Sequence, residues 1–257
     1  MAKRLEDKVA IVTGAGSSGP GWGNGKATAV LFAREGARVL CLDINRDAVE
    51  ETRSIIEQEG GDCRVRQCDV TCADQVQATV AQCLENYGRI DILHNNVGIL
   101  ELGGPVETSE ESWDRVNSVN LKSMFLTCKY TLPHMEKQGA GAIVNLSSIG
   151  GLVGLATSVP YCASKGGVIQ LTRALGVEWA TEGVRVNALA PTAFDTPMLR
   201  DAMEADPRYR ERVLERVPVG RIGELREIVG AALFLASDAS TMVTGTVLPV
   251  DGGFTAQ

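Results

Sequence analysis

Tyr161 and Lys165 lie four positions apart, and Ser148 precedes the tyrosine by thirteen. On a helix, residues four apart share a face, so the phenol and the ammonium are expected to point the same way. A phenol with an ordinary pKa near ~10 is a poor base at neutral pH. An ammonium about 4 Å away, at an effective dielectric of about 20, is worth roughly 4 kcal/mol, or about three pKa units. That would bring Tyr161 to about 7, where acid–base catalysis works best. Ser147 and Ser148 end an apolar run over 142–146, and Ser148 offers a hydroxyl to hold a carbonyl or alcohol oxygen. The expected chemistry is proton exchange with a substrate oxygen.

Such residues need elements to hold them. The apolar, β-branched run 8–13 reads as a strand buried on both faces. A glycine-rich loop over 14–25 follows, then helical spacing from Lys26 to Glu35, stopped at Gly36. Glycines in a strand–loop–helix unit let the backbone approach a pyrophosphate, which the helix N-terminus attracts. The second strand, 37–42, runs into Asp43, placed to accept hydrogen bonds from an adenosine ribose and to repel a 2′-phosphate. Asp43 therefore points to NAD, while nearby Arg46 is the feature that would suit NADP. Asn45 is the expected cap of a helix over 46–59.

Further strands are expected at 63–68, 90–94, 142–146, 184–189 and 245–250. Thr71 with Asp74, and Thr108 with Glu111, resemble capping boxes. The first opens a helix reaching Tyr87, and the second a long one through Trp113 and Phe125 to Tyr130. Asn120 falls in the apolar stripe of that long helix, as a clasp or as part of a site, because a buried amide needs partners. His94 ends a strand without a paired acid and reads as a packed or hydrogen-bonded histidine; His134, near a helix end, has no metal partner. The Tyr161 helix is expected to reach about Glu182, with Ala163, Gly166 and Gly167 permitting close packing. Residues 193–217 read as a helical flap over a ligand, with apolar Met198, Leu199, Met203 and Leu214, or as a solvated amphipathic helical hairpin; Phe194, Met198 and Leu199 suggest an apolar pocket. Glu101, Arg200 and Arg208 are the candidates for polar substrate contacts. A helix over 224–236 is the last. This alternation predicts one domain over 1–257, a doubly wound parallel sheet of Rossmann type with helices on both faces.

Composition narrows the function further. The chain has 257 residues, 44% hydrophobic and 22% charged, and a net charge of −7. Without a Lys/Arg run, that charge argues against nucleic acid and anionic membrane as partners. The first residues lead into a strand and do not read as a secretory signal. Seven cysteines match neither a disulfide framework nor zinc spacing, so free thiols in the cytoplasm and no metal are expected.

Taken together, the chain resembles the short-chain dehydrogenase/reductase family over nearly its whole length. The resemblance rests on Thr13 and Gly14 with the glycine loop, Asp69-Val70, 95–98, Asn120, Ser148, Tyr161-x-x-x-Lys165, Asn187, Pro191, Thr196 and 251–253. It implies Tyr161 as general acid/base, Lys165 on the nicotinamide ribose and lowering the tyrosine pKa, Ser148 orienting the substrate oxygen, and Asn120 holding a relay water. Asp69 and Val70 would meet the adenine, Asn96 the adenosine ribose and Thr196 the carboxamide. The implied cofactor set also includes Gly14, Gly23, Asn24, Gly25, Asp43, Gly98, Tyr161, Lys165, Pro191 and Thr192. A homotetramer or homodimer is implied as well, through paired long helices and the C-terminal strand.

Three departures stand out. Five extra residues, Ser18–Trp22, interrupt the glycine loop, which puts Asn24 where an apolar residue is usual. Val97 replaces an alanine, and Thr192 a glycine. The resulting expectation is an NAD(H)-dependent oxidoreductase interconverting a secondary alcohol and a ketone. The rivals are an NADPH-linked 3-oxoacyl-type ketoreductase, disfavoured by Asp43 and by the lack of a basic residue at Ser17 or Ser18, and an idle NAD-binding sensor or scaffold.

Overall fold

The apolar runs pair as expected. In the computed structural model, which describes residues 3–205 and 208–257, they form a seven-stranded sheet. The strands are β1 (Val9–Thr13), β2 (Arg38–Asp43), β3 (Cys63–Gln67), β4 (Ile92–Asn95), β5 (Gly141–Leu146), β6 (Val184–Pro191) and β7 (Val247–Val250). They lie in the order β3-β2-β1-β4-β5-β6-β7, every pair parallel. Parallel strands require crossovers, and those crossovers cover both faces. On β1 the side chains divide by alternation. Ala10 and Val12 join a core built with α1 (Asn24–Arg34), α2 (Arg46–Gln58) and α9 (Leu225–Ala236). Val9 and Ile11 join the opposite core, with α3 (Ala73–Tyr87) and α5 (Ser123–Gln138).

Strand order reverses between β1 and β4, and the crevice at the carboxyl ends there is where open α/β sheets bind ligands. Thr52 of α2 fastens this region by donating from Oγ1 to the Ala15 carbonyl at 2.7 Å. The Tyr161 helix, α6 (Val159–Glu178), starts with Pro160 in its first turn, where a missing N–H is harmless.

Several local expectations are corrected. The long helix is divided: α4 (Glu110–Asn117) passes through a π-helical turn at Ser118–Lys122 before α5 begins. Asn120 sits in that turn, held by the Ile99 backbone, a tertiary constraint that helical periodicity does not carry. Thr71 does not cap α3. Its hydroxyl donates to Asp69 Oδ1 at 2.7 Å, and no side chain caps that helix. Ser109, not Thr108, caps α4, because the Thr108 hydroxyl is spent on the Gly104 carbonyl. Asn45 caps α2 as expected, accepting from the Asp47 and Ala48 N–H groups. The end of the Tyr161 helix is a separate 3₁₀ turn, Ala180–Glu182.

The segment expected as a flap contains α7 (Pro197–Ala205) and α8 (Tyr209–Glu215); its residues 206 and 207 lie outside the described residues, as do 1 and 2. No helix among the described residues is long and apolar enough to cross a membrane.

Candidate active site

A cavity of about 1200 Å³ runs along the carboxyl edge of the sheet. Its floor at one end is made by glycines that admit no side chain. A Cβ on Gly25 would overlap the Gly14 carbonyl, and one on Gly14, whose φ is +61°, would sit 2.9 Å from Asn96 Nδ2. Asn96 in turn donates from Nδ2 to the Gly14 carbonyl at 3.1 Å. Gly23 is the N-cap of α1, so the unpaired N–H groups of that helix's first turn open toward this floor. Two buried polar atoms there, Ser17 Oγ and Asn24 Oδ1, have no partner. Bare backbone, a helix N-terminus and the orphaned Ser17 hydroxyl, which can donate, fit the pyrophosphate of a dinucleotide. Asp43 lies beside them at the end of β2. Its Oδ2 accepts from the Gly16 N–H and its Oδ1 from the Asn45 N–H, both at 2.9 Å. The carboxylate is thereby fixed, and each oxygen keeps a lone-pair direction for a diol. Arg46 reaches instead toward Glu50, at 3.7 Å.

The insertion Ser18–Trp22 leaves the glycine pair Gly23 and Gly25 in place ahead of α1 and extends sideways toward α7. A Cβ on Gly19 would lie 3.3 Å from the Pro197 side chain, and Arg200 Nη1 donates to the Pro20 carbonyl at 3.4 Å. The buried Lys26 backs the insertion, with its Nζ 2.8 Å from Glu51 Oε1 and 5.9 Å from the centre of the Trp22 ring.

At the other end of the cavity the structure brings Ser148, Tyr161 and Lys165 together. Ser148 leaves β5 and accepts on Oγ from the Gly150 N–H at 3.1 Å. Lys165 is buried, donates to the Leu146 carbonyl at 2.8 Å, and stands 5.8 Å from the centre of the Tyr161 ring. Gly98 makes room for it, since a Cβ there would be 3.1 Å from Nζ. Ser147, the neighbouring serine, donates to the Lys165 carbonyl and so anchors the helix.

The expected lowering of the tyrosine pKa does not hold for the protein alone. Burial pushes the phenol above its usual value, and a hydrogen bond with Ser148 offsets only part of that. Burial also lowers the Lys165 ammonium to about 8. The reason is desolvation, which disfavours both charged forms and which helical spacing does not reveal.

Asn120 is the one expected catalytic residue that does not line the cavity. It is fully buried; Oδ1 accepts from the Ile99 N–H at 2.8 Å, and Nδ2 donates to the Ile99 carbonyl and to Ser164 Oγ, each at 3.0 Å. Its side chain is a clasp between the π-helical turn, the 99 loop and α6. All the expected cofactor residues line the cavity: Gly14, Gly23, Asn24, Gly25, Asp43, Asp69, Val70, Asn96, Gly98, Tyr161, Lys165, Pro191, Thr192 and Thr196.

His94 does not reach the cavity. It is buried with both ring nitrogens unpartnered, and its ring packs edge-on against Phe32 at 6.0 Å. All seven cysteines are free, and no metal-binding cluster exists among the described residues.

Phe194, Met198 and Leu199 reach the cavity, but Met203 and Leu214 do not. The proposed polar contacts are also corrected. Glu101 is committed to Arg115 and Ser112, and Arg200 to Asp195, while Glu101, Arg200 and Arg208 are absent from the lining. Tyr209, Arg212, Val213, Arg216 and Phe254 line it instead. The first four recur at helical spacing, a signal the sequence carried, but one facing no identifiable partner until the chain is folded.

The family described as enoyl-(acyl carrier protein) reductase, within the short-chain dehydrogenases, matches residues 20–255. A 3-oxoacyl-[acyl-carrier-protein] reductase of Thermotoga maritima is 42% identical over 250 residues, 97% of this chain and 98% of that one. The 2-(R)-hydroxypropyl-CoM dehydrogenase of Xanthobacter autotrophicus is 41% identical over 254 residues, covering 97% and 99%. A solved Agrobacterium tumefaciens structure with bound NADP superposes with a TM-score of 0.88 at 38% identity, covering 100% of this chain and 99% of that one.

Proposed function

Because the chain belongs to the short-chain dehydrogenase/reductase family, whose members act as oxidoreductases with a nicotinamide cofactor, we propose that it interconverts a secondary alcohol and a ketone using NAD(H). One observation carries this reading. A phenol, a serine hydroxyl and a lysine meet at one end of a cavity whose other end offers a bare glycine floor and a fixed carboxylate. The nicotinamide supplies the hydride acceptor or donor. Everything else falls to the chain. Ser148 holds the substrate oxygen, and Tyr161 takes the alcohol proton in oxidation or gives its own to the carbonyl oxygen in reduction. Lys165, beside the ring, would steady the phenolate and hold the nicotinamide ribose; Asn120 fixes the turn at which a relay water would be held.

With Asp43 aimed at an unmodified ribose, NAD is the assigned cofactor. Gly14, Gly23, Asn24 and Gly25 would cradle the pyrophosphate, and Asp69, Val70 and Asn96 would hold the adenosine. Gly98, Pro191, Thr192 and Thr196 would meet the nicotinamide. A second reading, an NADPH-linked 3-oxoacyl reductase, is favoured by the Thermotoga relative and opposed by the Asp43 carboxylate. We further assign a single domain, a cytoplasmic location consistent with seven free thiols, and a homotetramer or homodimer built on α5 and α6, which expose Phe125 and Val177.

Tyr161→Phe tests the mechanism. It keeps the ring and its packing, so NADH affinity by fluorescence titration should barely change, while turnover with a panel of alcohols and ketones falls about 10²–10⁴-fold. Turnover within a few-fold of the parent would refute the tyrosine's role.

A further inference from the structure

Five charged side chains line the cavity among the described residues, and they are sorted by sign. Asp43 and Asp69 stand at the strand ends assigned to adenosine, and Lys165 is at the reacting centre. Beyond that centre stand Arg212 and Arg216, with no Asp or Glu of the described residues in the lining around them. This is a chain with 32 acidic residues and 25 basic ones, so an all-cationic wall is not its average surface. The selection operates within α8 itself. Tyr209, Arg212, Val213 and Arg216 follow one another at i, i+3, i+4 and i+7 and face the cavity, whereas Glu211 and Glu215 of the same stretch do not.

Both arginines are held against aromatic rings, Arg212 with its guanidinium carbon 5.9 Å from the centre of the Tyr209 ring, and Arg216 more closely. Its guanidinium carbon lies 4.4 Å from the centre of the Phe254 ring, which is buried against Ile149, the residue following Ser148. Stacking uses the face of the guanidinium and leaves its N–H edges available. Arg4, Arg34, Arg89, Arg115, Arg200, Arg221 and Arg226 all pair with carboxylates, but Arg216 makes no ion pair among the described residues. Leu155 and Val213 pack with Phe254 in one apolar cluster, and all three line the cavity with Arg216 and Tyr161. At ~1.5 Å of rise per residue, Arg212 and Arg216 lie about 5 and about 10 Å along α8 from Tyr209, which neighbours Tyr161 closely enough to affect its phenol.

Resting on the alcohol–ketone reading above, we propose that the physiological substrate carries an anionic head group, bound by Arg216 with Arg212 alongside, at the far end of an apolar chain from the reacting carbon. The head is named by its shared chemistry: a planar carboxylate, or a tetrahedral sulfonate or phosphate.

The test compares 6-oxoheptanoate and 6-oxoheptane-1-sulfonate with methyl 6-oxoheptanoate in NADH-linked reduction, using the parent, Arg216→Met and Arg216→Lys. The parent should favour at least one anionic ketone over the ester by about tenfold or more in kcat/KM, since a hydrogen bond to a charged group is worth about that much. Arg216→Met should cut this ratio at least tenfold, chiefly through KM, and Arg216→Lys should restore part of it. Which anion is preferred distinguishes a planar from a tetrahedral head. A parent that takes the ester as well as both anions, or a ratio unchanged in Arg216→Met, overturns the proposal. Calorimetric titration of heptanoate and heptane-1-sulfonate, with and without NADH, separates the two readings. If no ketone turns over but the parent binds one of these anions at least tenfold more tightly than Arg216→Met, the oxidoreductase reading falls and this one stands. Equal binding to both proteins, or none, overturns this one.

Discussion

His94 offers a quantitative test of how the buried sheet is held together and of which residue does the acid–base work. The imidazole is 1% exposed, its two nitrogens have no hydrogen-bond partner, and burial lowers its pKa from 6.5 to about 4. The folded protein therefore holds this ring neutral at pH values where the unfolded chain protonates it. The sign follows from linkage: the contribution is complete above the unfolded pKa of 6.5 and is lost as pH falls toward the folded value. A gap of that size corresponds to about 3 kcal/mol in all, of which about 1 kcal/mol is lost by about pH 5.5. His94→Leu keeps an apolar group of similar volume and removes the titration. Urea unfolding of parent and variant at pH 7.5, 5.5 and 4, at one protein concentration, isolates this term as a difference of differences, so packing changes common to all pH values cancel. The variant should lose about 3 kcal/mol less than the parent on acidification. Parallel pH profiles would refute the buried, unpartnered neutral imidazole. The same variant should still turn over substrate at pH 7.5, because His94 stands outside the cavity; loss of catalysis in a folded variant would transfer the base role to it.

Other outcomes follow from the geometry of the cavity. Asp43 should give a preference for NAD over NADP of at least roughly a hundredfold, about 2.7 kcal/mol, in kcat/KM; parity would remove its assigned role. Gly25→Ala, whose Cβ would overlap the Gly14 carbonyl, should weaken NADH binding at least about tenfold in fluorescence titration, with far-ultraviolet dichroism confirming the fold. Deleting Ser18–Trp22 should leave the fold intact and NAD affinity within about tenfold, while raising the substrate KM through lost contacts to Pro197 and Arg200; abolished NAD binding in a folded variant would make the insertion itself the site. Because burial raises the Tyr161 pKa, ketone reduction should persist through neutral pH and alcohol oxidation should climb on the alkaline side. Parallel pH–rate profiles for the two directions check this.

Much of this protein could be read from local sequence, for a physical reason. Strand-length apolar runs separated by amphipathic stretches have few ways to bury both faces, so the doubly wound sheet followed from pattern alone. That the glycine loop, Asp43, Ser148 and the Tyr161–Lys165 pair meet at one cavity was also legible, because each is placed by spacing along one strand–loop–helix unit. What depended on desolvation or on distant partners was not. The direction of the Tyr161 pKa came from burial, which the folded chain alone creates, with a smaller electrostatic contribution from Tyr209, distant in sequence. Asn120 became a clasp because Ile99 and Ser164 meet it in space, and the π-helical turn that carries it has no periodic signature. Local sequence suggested Glu101 and Arg200 for the substrate, but tertiary structure committed both to surface ion pairs. It placed Arg212, Arg216 and Phe254 in the cavity instead, since which face of a short charged helix turns inward is settled only by what it packs against.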